Sequence, residues 1–295
     1  MANLDYRALA VLDAVASHGS FEKAACALGI SQSAVSQRIK ALEDRSGRLL
    51  IVRGQPALPT GLGQRLIAHY RNVQLMEAAL DIDLGKQVSM PEITLAIDAD
   101  SLATWFPECL AALLAPPRCQ LDVRLAASDA ALQLVREGSV FGAVAASAPA
   151  ATGTSVTSLG SMRYVCVASP AFAGHWFGDG FSVEAAQLAP AVVGEQRLLA
   201  RFLEQELAMR APFPRHTIPL SATLRDCILG GAAYGLMPQR QAGPALARDG
   251  LVELLPGRAL DVALSWHAWS LDTPFTRLLS EHIVLGARRY LLQEA

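Results

Sequence analysis

The stretch from Ala24 to Glu43, AACALGISQSAVSQRIKALE, constrains the chain more than any other. Ala24 and Ala25 are small where two helices must come close, Gly29 permits the tight turn, Ile30 plugs the core beneath it, and Ser31 offers a hydroxyl to start the next helix. Within that helix Val35, Ile39 and Leu42 recur at helical spacing and face inward. Gln32, Ser33, Ser36, Gln37, Arg38 and Lys40 fall largely on the other faces, a surface rich in groups that can meet a base edge or a phosphate. The pattern specifies a helix-turn-helix.

The flanks complete it. An apolar stripe of Leu4, Ala8, Leu9, Leu12, Val15 and Ala16 predicts a helix stopped at His18-Gly19, and Ser20 caps a second helix, FEKAACAL, with Glu22 in its first turn. From Gly47 to Thr60 the chain is punctuated by Gly and Pro and extended in character, which predicts a small β-ribbon or wing carrying Arg48 and Arg53. Gln32, Ser33, Ser36 and Gln37 suit base edges, whereas Arg38, Lys40, Arg48 and Arg53 suit phosphates or, on the wing, the minor groove. The competing reading is an all-helical packing module whose serines merely cap and whose basic groups are solvated. Charge weighs against it: residues 1–71 hold nine Lys/Arg against five Asp/Glu, a net of +4, and the rest of the chain a net of −6, within an overall −2. Thr60 can cap a helix of about 23 residues, roughly 35 Å long at 1.5 Å per residue, with an apolar seam of Leu66, Tyr70, Val73, Met76, Leu80 and Leu84. A module with so few basic contacts binds weakly alone, so two copies on a dyad-related site, joined by that seam, are expected.

Beyond Pro91 the texture alternates strand and helix: EITLAIDAD, SLATWFPECLAALLA, CQLDVRLA, DAALQLVREG and VFGAVAA, then a second set from RYVCVASPAF to DVALSWHAWS and a closing amphipathic helix. This is α/β grammar with parallel pairing. Crossings near Gly160 to Cys166 and Val262 to His267 fit a two-lobed ligand cleft better than one continuous sheet. A composition of 52% hydrophobic and 18% charged residues belongs to a folded protein. Five cysteines without C-x-x-C indicate neither a disulfide framework nor zinc, and together with the absence of a leader or an 18-residue apolar run they point to a cytoplasmic protein without a membrane span. No nucleophile elbow, phosphate loop or H-E-x-x-H occurs, so no enzyme and no metal is expected; of six histidines only His267, between two tryptophans, stands out, and a core role is its safer reading.

On these residues, from the helix-turn-helix to about position 292, the chain resembles the LysR-type transcriptional regulators. DYRALAVLDAV, SQSAVSQRIKALE, DADSLATWFPE and GAVAA resemble the ArgP/LysG branch, whose members sense lysine or arginine and activate a basic amino-acid exporter gene. The resemblance implies a winged helix-turn-helix domain at 1–60, a linker and dimerisation helix at 61–90, and a periplasmic-binding-protein-like effector domain at 91–295. Subdomain I of that domain is 91–162 with 267–295, and subdomain II is 163–266. It further implies a homodimer or homotetramer, promoter DNA and RNA polymerase as partners, no cofactor, and an effector, L-lysine or L-arginine, held between the subdomains. The loop from Asp98 to Thr104 then supplies part of the pocket. Ser101, at a helix start, can bind a carboxylate or simply cap. Trp105 lines the pocket or packs in the core, and Asp98, Asp100, Asp129, Glu195 and Asp226 are candidate counter-charges for a cation. Another amino acid or a small carboxylate is the alternative effector, and an enzyme or a DNA-bridging protein without regulatory function the remote alternative reading.

Overall fold

The computed structural model describes residues 4–84, 92–114, 119–146, 148–194 and 197–293 of the chain. Three helices, α1 (Tyr6–His18), α2 (Phe21–Leu28) and α3 (Gln32–Ser46), open it. Their ends follow from local chemistry. Asp5, Ser20 and Ser31 cap the N-termini by accepting backbone N–H groups, and Gly19, Gly29 and Gly47 close the C-termini at positive φ. Leu9, Leu12, Ala24, Val35, Ile39 and Leu42 form one buried cluster with Leu50, Ile51 and Ala57 of the wing. The wing is a two-stranded antiparallel ribbon, β1 (Ile51–Val52) and β2 (Leu58–Pro59). Thr60 then starts α4 (Gly61–Asp83), its hydroxyl accepting the Gly63 N–H at 3.2 Å and donating to the Leu49 carbonyl at 2.8 Å.

The larger unit is built on a nine-stranded mixed sheet. Strands β3 (Glu92–Ile97), β4 (Gln120–Leu125) and β5 (Gly142–Ala146) pair in parallel and form one lobe with α5 (Ala99–Thr104), α6 (Phe106–Leu114), α7 (Ser128–Glu137) and the C-terminal α13 (Pro274–Tyr290). Strands β7 (Ala191–Val193), β8 (Arg215–Thr217) and β9 (Tyr234–Pro238), also parallel, form the other with α8 (Pro170–Trp176), α9 (Val183–Leu188), α10 (Leu198–Leu207), α11 (Ser221–Leu229) and α12 (Gln239–Leu246). Between them lie two long antiparallel strands, β6 (Thr154–Ala168) and β11 (Leu260–Trp269), and a short β10 (Val252–Glu253) pairs with β6.

Two sequence expectations change here. Pairing is parallel only within each lobe, and the lobes are not separate sheets, because β6 and β11 carry the hydrogen-bonded order β4-β3-β5-β11-β6-β9-β7-β8 across both. Strand β6 begins well before the RYVCVA segment that announces it, since TSVTS lacks an apolar alternation. The register steps between Leu264 and Ser265 where Gly160, at φ +105°, lets the C-terminal Leu292 exchange backbone hydrogen bonds with Ser161 at 2.8 and 2.9 Å. Such a bulge bends the strand that carries it and increases its local twist.

The central strands tolerate little extra volume. A Cβ on Gly142 of β5 would lie 2.5 and 2.6 Å from the Trp266 ring and 3.0 Å from the His267 carbonyl. Although Ala usually stabilises a strand relative to Gly, Gly142→Ala is expected to cost about 1–3 kcal/mol through overpacking. A urea midpoint equal to or above that of the wild type would contradict this.

Candidate functional site

The surface of α3 follows from its buried side. With Val35, Ile39 and Leu42 inward, Ser33, Gln37 and Lys40 form the outward stripe, Gln32 and Ser36 one flank and Arg38 the other. Of these, all but the half-buried Ser36 are exposed. Ser33 also hydrogen-bonds the Ser31 cap at 2.9 Å. Arg48 stands exposed between α3 and the wing, and the Arg53 guanidinium lies over the Phe21 ring, 5.6 Å from its centroid. Glu43 holds the wing against α3, its Oε1 accepting the N–H groups of Leu50 (2.8 Å) and Ile51 (3.3 Å). In the sequence it stood only as one of two adjacent acids, Glu43 and Asp44, in a helix otherwise rich in basic and amide groups. The arrangement presents one polar helix face flanked by separate cations, as duplex DNA requires.

The second site is a cleft of about 70 Å³ between the lobes. Its walls are the carboxyl ends of five strands: Asp98 follows β3, Ala126 and Ala127 follow β4, Gly194 follows β7, Ile218 and Pro219 follow β8, and Pro238 ends β9. Open α/β sheets place ligands at such ends.

Two carboxylates occupy one wall. Asp98 caps α5, its Oδ1 accepting the N–H groups of Asp100 (3.1 Å) and Ser101 (2.9 Å), while its Oδ2 is buried with no hydrogen-bond partner among the described residues. Burial pushes its carboxyl up to about 6 against the opposing pull of the Ser101 hydrogen bonds. Asp100 is also raised, first by burial, with hydrogen bonds from Ser221 and Tyr164 working against the shift; the Tyr164 hydroxyl donates to its Oδ2 at 2.8 Å. Tyr164 on β6 and Ser221 at the start of α11 both line the cleft, and sequence reasoning missed both. Each is distant in the chain from Asp100, and nothing local marks it.

The other expected ligand residues sit elsewhere. Ser101 is fully buried and its hydroxyl accepts the Trp105 indole N–H at 3.1 Å. It is therefore committed to the core beneath α5, and Trp105, likewise fully buried, packs there against Phe106 instead of forming a pocket wall. Asp129 is exposed in the first turn of α7, outside the cleft lining. Asp226 is exposed and paired with its neighbour Arg225 at 2.8 Å. Glu195 lies outside the described residues. His267 is a buried strand residue of β11, and burial holds its imidazole below the ordinary range.

Comparison with known proteins covers both sites. The family described as "Bacterial regulatory helix-turn-helix protein, lysR family" matches residues 6–64, and "LysR substrate binding domain" matches residues 86–286. The chain is 42% identical over 292 residues to the HTH-type transcriptional regulator ArgP of Pseudomonas aeruginosa, covering 96% of each. It superposes on the crystal structure of ArgP from Mycobacterium tuberculosis with a TM-score of 0.89 at 33% identity, covering 99% of this chain and 100% of that one. Full-length LysG from Corynebacterium glutamicum with bound effector Arg gives 0.78 at 32% identity, covering 98% and 100%. Among the described residues no helix is long and apolar enough to cross a membrane.

A carboxyl raised by folding stabilises the fold while protonated. The contribution of Asp98 is therefore complete below its ordinary value of 3.8 and is lost as pH climbs through about 6. Replacement of Asp98 by Asn keeps the cap and removes the titration. Urea unfolding of ligand-free protein from pH 4 to 7 should show the wild type losing stability relative to Asp98→Asn, and parallel curves would refute the assignment.

Proposed function

Because the chain belongs to the LysR family of bacterial helix-turn-helix transcriptional regulators, we propose that it senses a basic amino acid, L-arginine or L-lysine, in the cleft between its lobes and activates transcription of an exporter gene for it. The observation that carries the ligand class is the desolvated pair Asp98 and Asp100 on one wall, with an unpaired buried Oδ2. Two such carboxylates are costly in a ligand-free cleft, and a cationic group restores what burial removed. The backbone N–H groups at the start of α7, where Ala127 provides no side-chain cap, offer a place for the ligand's carboxylate on the same lobe as the two acids. The 32% identical LysG with arginine bound supports the same ligand class.

On this reading the division runs 1–60, 61–90 and 91–295, the last split into 91–162 with 267–295 and 163–266. The protein acts in the cytoplasm on promoter DNA and RNA polymerase, without a cofactor and without a catalytic step. Assembly uses α4. The buried face of that helix, Leu75 and Ala79, packs into the core of its own effector domain, while Met76, Leu80 and Leu84 are 45, 58 and 61% exposed. The predicted seam therefore divides. Leu66 and Tyr70 pack on the winged helix domain, and the C-terminal three remain for a second copy. Two or four copies then place winged helices on adjacent half-sites, and effector-dependent lobe closure alters their spacing.

A thermal-shift screen of the twenty amino acids tests the ligand, since only a true effector stabilises the native state by mass action. L-arginine and L-lysine should raise Tm, Asp100→Asn should weaken their binding at least tenfold, and Kd should rise roughly tenfold per pH unit below about 6 as Asp98 takes up a proton. No shift with either basic amino acid rejects the ligand class. For DNA, Arg53→Ala should weaken promoter binding about equally across sequences and reduce the salt slope by about one, whereas Gln37→Ala should relax sequence preference. An unchanged salt slope removes Arg53 from the interface.

A further inference from the structure

The two lobes touch outside the cleft as well as within it, and Arg240 makes one such outer contact. Arg240 is the second residue of α12 in the β7-β8-β9 lobe, yet its guanidinium reaches two helices of the other lobe. Nη2 donates to Glu108 Oε1 of α6 at 2.6 Å, and the guanidinium carbon lies 4.0 Å from the ring centroid of Tyr290 at the end of α13. A lone exposed ion pair of this kind contributes little. Here the guanidinium meets both a carboxylate and a ring face, on two elements, which restricts it more than a single ion pair does.

What Arg240 fixes is the position of α12 beside the cleft. Pro238, its N-cap, lines the cleft, and Gln241 hydrogen-bonds Ser221 with Oε1 to Oγ at 3.0 Å. Ser221 and Asp100 line the same cleft from opposite lobes, where α11 packs against α5. Neighbouring residues of one helix thus hold the opposite lobe from outside, through Arg240, and support from inside, through Gln241, the residue that faces Asp100 across the cleft.

We propose that Arg240 is a positioning residue for effector binding: its clamp on Glu108 and Tyr290 holds α12, and through it Ser221, against the acidic wall and so sets the affinity of the cleft. The ligand part of this rests on the reading of the cleft as a basic amino-acid site; the clamp itself does not.

The test uses full-length protein and four variants. Arg240→Gln and Glu108→Gln break the clamp, and Tyr290→Leu removes its aromatic face. Arg277→Gln is the control, because Arg277 makes a comparable exposed pair with Asp272 at 2.7 Å that stays within one lobe. In ligand-free protein, amide exchange in α5 and in α11 should quicken at least threefold in the first three variants and not in the control, with exchange in α1 to α3 unchanged. Titration with L-arginine should show three- to tenfold weaker binding in the same three variants only. Wild-type exchange in α5 and α11 of both Arg240→Gln and Glu108→Gln overturns the clamp, whatever the ligand data show. Faster exchange with unchanged L-arginine affinity overturns its role in binding. If no basic amino acid binds even the wild type, the ligand reading falls with the affinity claim, and the exchange experiment still decides the clamp. Should Arg240→Gln fail to fold, Arg240→Lys carries the same comparison, since it keeps the charge and loses the planar stack.

Discussion

The β6–β11 ladder is the constraint on which the effector domain rests. Ten consecutive residues of β11, Leu260 to Trp269, find partners on β6, and the pair is bordered on one side by the parallel strands β3 to β5 and on the other by β7 to β9. Parallel strands return by helices and therefore deliver their carboxyl ends to a common edge. With a parallel set on each flank of the ladder, those edges converge on one crease. Position of the cleft thus follows from topology before any polar residue is considered. The ladder also explains why the lobes cannot be separate bodies: every change in their angle must be taken up by two strands whose backbone bonds are continuous across the register step at Gly160.

Charge follows the same division. The chain as a whole is nearly neutral, yet the polar face of α3 and the wing collect cations, while the crease collects two carboxylates, the buried Asp98 and the half-buried Asp100. Among the described residues neither carboxylate is paired with a cation; Asp98 accepts backbone N–H groups and Asp100 accepts the Tyr164 hydroxyl. Hydroxyl and amide donors stabilise a carboxylate without neutralising it, so the wall retains its attraction for a cation. A ligand that supplies positive charge has a stronger interaction with a closed cleft than with an open one, which is the differential affinity that any ligand-driven change of shape needs.

The sequence was most informative where structure is local. Caps at Ser20 and Ser31, stops at Gly19 and Gly29, and the inward trio Val35, Ile39 and Leu42 could each be read within a few residues, and all lie where the periodicity puts them. Asp98 and Asp100 were legible because they follow a strand and begin a helix. The spacing of Ser101 and Trp105, four apart on one helical stretch, already allowed the hydroxyl-to-indole bond that commits both to the core. Residue type alone misled at Asp226, whose charge is met by the adjacent Arg225, and at Asp129, which faces solvent. Tyr164 and Ser221 were illegible for a different reason: they reach Asp100 only after the chain has crossed between lobes. The TSVTS start of β6 was hidden because its partner β11 lies some hundred residues away in sequence, so its extended form is imposed by tertiary pairing more than by propensity.

Helix α7 joins the two functional regions by direct contact. Its N-terminal Ala127 lines the cleft, and its C-terminal cap, Gly138 at φ +70°, meets the linker helix so closely that a Cβ there would lie 1.9 Å from that of Ala68. Ten helical residues make a rod of about 15 Å, and Trp269 of β11 ties its last turn to the sheet by donating its indole N–H to the Val135 carbonyl at 3.0 Å. A glycine at that cap serves two needs at once, the left-handed backbone that ends the helix and the absence of a side chain where α4 passes. Packing this close leaves no slack between the lip of the cleft and the helix that carries the winged domain. Displacement of α7 along its axis therefore has to be matched by α4, because close-packed contacts transmit a shift that a solvated gap would absorb.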